Sequence, residues 1–215
     1  MLNAVDQKIE LFFGKYKSHK YKKNHILVHA QQEPSAIFNL VSGQVRQYDI
    51  SDQGDKVVVN VFKPPAFFIM SWAINKTPNQ YYLETATEVI VRKAPPDEVI
   101  EFLKNNNDVL FDLLSRVFLG TDVILRRMAH LMGGNAHSRL IYELILEANS
   151  FGETQKDGSI FIPLHLNELA ARSGLSRETA SREIGKIKDL GISVNRKGII
   201  IKSIKELEQK LGNNL

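Results

Sequence analysis

Arg177, Glu178, Ser181 and Arg182 are the side chains with the most evident chemistry in this sequence. An arginine fork can donate to O6 and N7 of a guanine, and a glutamate can accept from the N4 amino group of a cytosine. Ser176 and Thr179 add hydroxyls, and Lys186 adds a cation further along. Helical spacing buries Ala180, Ile184 and Ile187, which leaves Arg177, Glu178, Ser181, Arg182 and Lys186 facing outward. Many surface helices carry a solvated charged face, so composition alone decides little. What precedes the helix is more specific. Leu166, Leu169 and Ala170 mark a short helix, and Ser173-Gly174-Leu175 ends it, with Gly174 suited to the left-handed conformation. Ser176 then stands as N-cap of the second helix. Two helices joined by a glycine turn, the second opening on Arg-Glu-Thr, form an arrangement that can present base-reading side chains to a major groove.

The segment Ser176-Arg177-Glu178-Thr179-Ala180-Ser181-Arg182 resembles the recognition helix of the cyclic-AMP receptor protein / fumarate–nitrate reduction regulator (Crp/Fnr) family. The resemblance implies that Arg177, Glu178 and Arg182 read bases and that Ser176 and Thr179 hold phosphates. His165 and Leu166 stand where that family usually has a Thr cap and an Arg. This departure puts a phosphate contact at the start of the first helix in question.

At 215 residues the chain is long enough for one or two cored domains. It has no cysteine, which excludes disulfides, thiol chemistry and a cysteine-held iron–sulfur cluster and fits a reducing cytoplasm. The N-terminal stretch carries Asp6 and Glu10 and reads as a helix over residues 3 to 13, not as a leader. No apolar run approaches membrane-spanning length. The net charge is +4, so its placement matters more than its size. Lys15, Lys17, Lys20, Lys22 and Lys23 read as a solvated segment ahead of a strand. The basic residues around the glycine turn, continuing to Arg196, Lys197 and Lys202, suit phosphate attraction.

From Tyr21 to Ala94, short apolar or alternating runs are broken by turn residues, which predicts an antiparallel sandwich or barrel. Gly43 and Gly54 are expected in hairpin turns, and Pro64-Pro65 in a loop. Leu40-Val41-Ser42-Gly43-Gln44-Val45-Arg46 resembles a strand pair of a cyclic-nucleotide-binding β-roll, and Lys63 to Ile69 sits where its phosphate cassette would lie. The cassette's Gly-Glu and its Arg are missing: no arginine lies between Arg46 and Arg92. A buried phosphate without a cation is costly, so neither cyclic AMP nor cyclic GMP is expected as effector. Phe67, Phe68, Trp72, Tyr81 and Tyr82 either line an altered pocket for an apolar or planar ligand or fill the old cavity as core, and core is the commoner fate of aromatics at strand spacing. His25 and His29, expected on a strand, and His130 and His137 lack a carboxylate at ligand spacing, so no metal site is expected. No nucleophile, base and acid converge, and no enzyme activity or cofactor is expected.

A short helix is predicted from Pro95-Pro96-Asp97 through Lys104, and a longer one from Asp108 to about Met132. In the long helix Leu110, Leu114, Val117, Thr121, Ile124, Met128 and Leu131 form a heptad seam, the pattern of a helix that pairs with a second copy. A second stripe, Phe111, Phe118, Leu125 and Met132, is expected to face the chain's own domains. In the resembled family this helix forms the homodimer and offers hydroxyls to an adenine; Ile124 and Leu125 stand at those places and do not suit one. Gly133-Gly134 reads as a hinge, Asn135 as the cap of a helix over residues 136 to 149, and Ser150 to Ser159 as a polar loop. Ile192 to Val194 and Ile199 to Ile201 flank Asn195-Arg196-Lys197-Gly198 as a wing hairpin, with a short helix after it over 203 to 211.

The expected fold is α+β: a β-roll (double-stranded β-helix or jelly roll) over 1–106, a dimerisation helix and hinge over 107–134, and a winged helix–turn–helix over 135–215. The expected molecule is a homodimeric, cytoplasmic bacterial transcription regulator with no membrane contact, acting on palindromic double-stranded DNA and on RNA polymerase. Its effector is unknown. Three alternatives stand: a ligand-free regulator, a regulator whose pocket of Phe67, Phe68, Trp72, Tyr81, Tyr82, Ile124 and Leu125 takes an apolar or aromatic metabolite, and, from a different class, an enzyme or an interaction module that does not touch DNA.

Overall fold

The computed structural model describes residues 3–52, 54 and 56–212. It divides into two compact units, Met1–Val117 and Phe118–Leu215.

The first unit opens with helix α1 (Ala4–Phe13), whose start is capped by the Asn3 side chain accepting from the Asp6 N–H at 2.7 Å. Eight strands follow: β1 (Ser18–Tyr21), β2 (Ile26–Val28), β3 (Ile37–Ser42), β4 (Val45–Ile50), β5 (Lys56–Phe62), β6 (Ala66–Phe68), β7 (Tyr82–Thr85) and β8 (Val89–Ala94). They pair antiparallel into two sheets, ordered β1-β8-β3-β6 and β2-β7-β4-β5. Helix α2 (Met70–Asn75) follows β6, and α3 (Pro96–Asn105) follows β8. Between the sheets lies a core that includes Phe13, Ile37, Leu40, Val45, Phe68, Leu83, Val89 and Val91. Phe62 on one sheet stacks on Phe68 of the other at 5.0 Å, and Phe68 stacks on Phe38 at 5.4 Å. Aromatic packing thus spans the space between the sheets.

Several expectations are corrected here. Gly43 is not in a hairpin, because β3 and β4 belong to different sheets. It turns the chain from one sheet to the other at φ +84, where a Cβ would meet the Glu88 carbonyl at 2.2 Å. Gly54 does lie between the paired strands β4 and β5, while Gln53 and Asp55 of that turn lie outside the described residues. The lysine-rich segment contains strand β1, and Lys15 and Lys20 pair with Glu98 and Glu88. His25 and His29 flank β2 instead of lying in it. His25 stacks on Tyr21, and His29 meets Tyr82 edge-on.

Helix α4 runs from Asn107 to Gly133. In the first unit its Val109 and Leu113 pack on the core, and Arg116 pairs with Asp6 and Asp112. The stripe Phe111, Phe118, Leu125 and Met132 does not face the protein, being 70, 61, 56 and 83% exposed. The reason lies in the alternation along the helix. Val109, Asp112-Leu113 and Arg116, and later Arg127 and His130, already supply the contacts made within the units.

The second unit contains α5 (Ala136–Phe151), β9 (Glu153–Thr154), β10 (Ile160–Ile162), α6 (Leu166–Arg172), α7 (Arg177–Lys186), a 3-10 turn (Lys188–Leu190), β11 (Ile192–Val194), β12 (Ile199–Ile201) and α8 (Ile204–Leu211). Its sheet has the order β11-β12-β10-β9. Ser150–Ser159 is therefore not all loop. Ser150 and Phe151 complete α5, and β9 pairs with β10. Leu140, Ile141 and Leu144 of α5 are fully buried against Leu169, Ala180, Ile184, Ile187, Ile199 and Leu207. Each such side chain contributes roughly 1.5–3 kcal/mol, which holds the three short helices at fixed angles.

Candidate nucleic-acid interface

Helix α6 begins at His165, whose backbone N–H donates to the Glu168 carboxylate at 2.9 Å. Leu169 and Ala170 bury its inner face. Ser173 ends it, and Gly174 follows at φ +62. The left-handed turn brings the Leu175 N–H to the Ala170 carbonyl at 2.9 Å and redirects the chain. Arg139 of α5 braces this turn, donating to the Gly174 carbonyl at 3.4 Å.

Helix α7 then starts on Ser176, whose hydroxyl accepts from the Thr179 N–H at 3.2 Å. Ala180, Ile184 and Ile187 are buried. Arg177, Glu178, Ser181, Arg182 and Lys186 are exposed, as is Ser176, while Thr179 is half-buried. Arg182 rests one turn back on the Thr179 hydroxyl at 3.3 Å. Hydrogen bonds from its own backbone N–H and from the Ser176 hydroxyl hold the Glu178 carboxyl below its usual range, so it is a charged acceptor at neutral pH. The exposed face thus offers two guanidinium forks, one carboxylate and the hydroxyls of Ser176 and Ser181 to solvent.

Arg196 and Lys197 are exposed at the turn between β11 and β12. That turn is built by Asn195, whose side chain accepts from the Lys197 N–H at 2.7 Å and the Gly198 N–H at 3.1 Å. Sequence reasoning singled out the basic pair but not the asparagine that shapes its backbone.

Sequence reasoning also missed Glu183. It is 5% exposed and lies on the inner side of α7. Its carboxylate accepts from Lys186 at 2.7 Å and meets His137 Nδ1 of α5 at 3.1 Å. A signal was present: a carboxylate beside Ile184, within the helical stripe of Ala180, Ile184 and Ile187, has to find a partner. Behind it, Arg127 grips Glu143 with two bonds, at 2.8 and 3.1 Å, and Arg172 pairs with Glu147. Burial pushes Glu143 up to about 7 against the pull of Arg127, and pushes Glu147 up as well.

The residues named for a ligand are spread out. Phe68 is buried, Phe67 and Trp72 are half-buried against the roll core, and Tyr81 and Tyr82 line an open hollow of about 560 Å³ with Ala30, Gln31, Asp49, Ile50 and Gln80. Ile124 and Leu125 are about half exposed on α4. Among the described residues no three His, Asp or Glu side chains gather where they could hold a metal ion, and no helix is long and apolar enough to cross a membrane.

Residues 18–106 match the model of the cyclic nucleotide-binding domain, and residues 138–210 match that of the Crp-like helix-turn-helix domain. The two matches, in this order and with the long helix between them, decide the family. The chain belongs to the Crp/Fnr family of transcription regulators. The transcriptional regulator SdrP of Thermus thermophilus is 25% identical over 179 residues, covering 81% of this chain and 85% of that one. Two solved structures share the fold. A CRP/FNR-family regulator from Thermus thermophilus superposes with a TM-score of 0.73 at 20% identity, covering 92% of this chain and 99% of that one. FixK2 from Bradyrhizobium japonicum gives 0.68 at 17%, covering 93% and 98%. This Crp/Fnr protein is therefore a transcription regulator with a DNA-binding helix–turn–helix, not an enzyme.

Proposed function

We propose that the protein acts as a homodimer that binds a palindromic operator and recruits or obstructs RNA polymerase without responding to cyclic AMP. The exposed face of α7 is the observation that carries the DNA reading. Arg177, Glu178 and Arg182 contact base edges, with Ser181 on the same face; Ser176 and Thr179 contact phosphates at the helix start, and Arg196 and Lys197 contact them from the wing. Residues 1–106, 107–134 and 135–215 act as sensor-like roll, dimerisation helix with hinge, and DNA-binding part.

The dimer reading rests on α4. Leu110, Leu114, Val117, Ile124 and Met128 are 38 to 54% exposed, and Phe111, Phe118, Leu119 and Leu125 more so. A contiguous apolar face of this size is unusual on a lone chain. Burial returns roughly 1.5–3 kcal/mol per large side chain, so a handful offsets an association cost of about 4–15 kcal/mol. Thr121, also exposed, and half-buried Leu131 complete the seam.

The absence of a cyclic-AMP response rests on the roll. Phe38, Phe62 and Phe68 occupy the space between its sheets. Arg46 is engaged by the buried Glu84, its direct partner in register, on the sheet face opposite Val45 and Leu83. Lys56 pairs with the same carboxylate. Neither cation is available to a buried phosphate. Selecting sites from random duplexes with the purified protein, with and without cyclic AMP, tests the whole reading. Enrichment of one symmetric sequence, unaltered by the nucleotide, is expected. No enrichment would end the DNA reading, and enrichment only with the nucleotide would end the effector reading.

A further inference from the structure

Lys186 lies on the exposed side of α7 and in sequence looks like one more phosphate contact. Its surroundings are different from those of Arg177 or Arg182. Its ammonium donates to Glu183 Oε1 at 2.7 Å, and the other oxygen of that carboxylate is 3.1 Å from His137 Nδ1. The Glu183 side chain is 7% exposed, that of His137 30%, and that of Lys186 58%. The carboxylate is therefore fixed against α5 and cannot follow Lys186 outward. For Lys186 to reach a phosphate, it would have to leave a buried carboxylate oxygen without a donor, which opposes the move. The Lys186 hydrogen bond, with help from His137, also holds the Glu183 carboxyl below its usual range, so its charge persists at neutral pH.

We propose that Glu183, which touches no DNA, sets the salt dependence of binding: it neutralises Lys186 and keeps that cation from adding sequence-blind affinity to the recognition helix. The proposal rests on the DNA reading of α7 given above. Phosphate contacts strengthen binding to every sequence alike, whereas base contacts discriminate. One fewer free cation on α7 weakens binding to every duplex alike and lessens its dependence on salt, while Arg177 and Arg182 set the preference. In this arrangement Lys186 releases no counterion on binding.

The test uses the full-length protein, the duplex enriched by site selection and a random duplex of equal length, with affinities measured across a salt series. Glu183→Gln keeps an acceptor for His137 and frees Lys186. The log–log salt slope should steepen by about 0.9 on both duplexes, a loss between roughly 50 and 200 mM salt some 3- to 4-fold larger than for the unaltered protein. Both affinities should rise together at low salt, leaving the ratio of selected-site to random affinity unchanged. Glu183→Asp keeps the charge on a shorter arm that cannot reach both partners, and should steepen the slope by less than Glu183→Gln does. Adding Lys186→Met to Glu183→Gln should return the slope to its original value. An unchanged slope in both Glu183 variants, or a steep slope that persists in the double variant, overturns the proposal. Arg182→Ala separates it from the underlying reading. If that change leaves the selected-site preference intact, the base-reading role fails, whatever the slopes show.

Discussion

Arg182 illustrates what single residues contribute. Its guanidinium is exposed and rests one turn back on Thr179, so it is already positioned before DNA arrives. Arg182→Ala is expected to cost about 1–3 kcal/mol on the selected operator and to relax base choice locally; a uniform loss over all sequences in a gel-shift series would contradict this. Glu143 makes a prediction of a different kind. Its carboxyl is pushed by burial from 4.5 to about 7. Between those values the folded chain holds a proton that the unfolded chain has lost. The stabilisation is therefore complete below the unfolded value and disappears as pH rises to about 7. At 1.36 kcal/mol per unit the effect is at most about 3 kcal/mol. Glu147, raised by burial, acts in the same direction, and His130, lowered by burial, acts against both. Glu143→Gln should flatten the fall in thermal midpoint between about pH 5 and pH 7, as followed by circular dichroism; an unchanged profile would remove Glu143 as the cause. Exposed groups such as Arg177 and Arg182 were legible from the sequence because helical spacing places them. Glu183, Glu143 and Asn195 were not, because their partners His137, Arg127 and the Lys197–Gly198 backbone are fixed by tertiary contact or turn geometry.

At the scale of elements, the helices and the turn between α6 and α7 could be read from periodicity and capping, since both are local. Gly174 belongs here: its φ of +62 is needed for the turn, and Gly174→Ala should lower the stability of the second unit by about 1–2 kcal/mol, measured by thermal denaturation. The strand pairing was less legible. Gly43 looked like a hairpin turn because strands flank it, yet β3 pairs with β8 and β6 and β4 with β7 and β5; a turn residue announces a reversal but not the sheet on each side. Helix α4 failed in an instructive way. Its two apolar stripes suggest one for a partner and one for the chain itself, yet both are largely exposed, and the contacts made within each unit use Val109, Leu113, Arg116 and Arg127. Ile124→Glu, on the exposed seam, should shift the molecule to single chains in sedimentation equilibrium and reduce operator affinity. A dimer of unaltered strength would place the interface elsewhere.

For the molecule as a whole, the two units have different chemistry. The first is closed by aromatic packing between its sheets and by cations already neutralised at Glu84. The second displays guanidinium groups on a helix held by an apolar core. This division argues that the roll supports the dimer and that base recognition lies in the second unit. Titrating the purified protein with cyclic AMP should release no binding heat; a saturable heat would show that the roll interior opens to a ligand. Footprinting the purified protein on its selected duplex, with the stoichiometry of the complex weighed in parallel, tests the central claim most directly. Two chains per duplex, protecting two symmetric half-sites about 34 Å apart on one face, is the predicted result. A single chain on one asymmetric site, or no protection at any sequence, would contradict it.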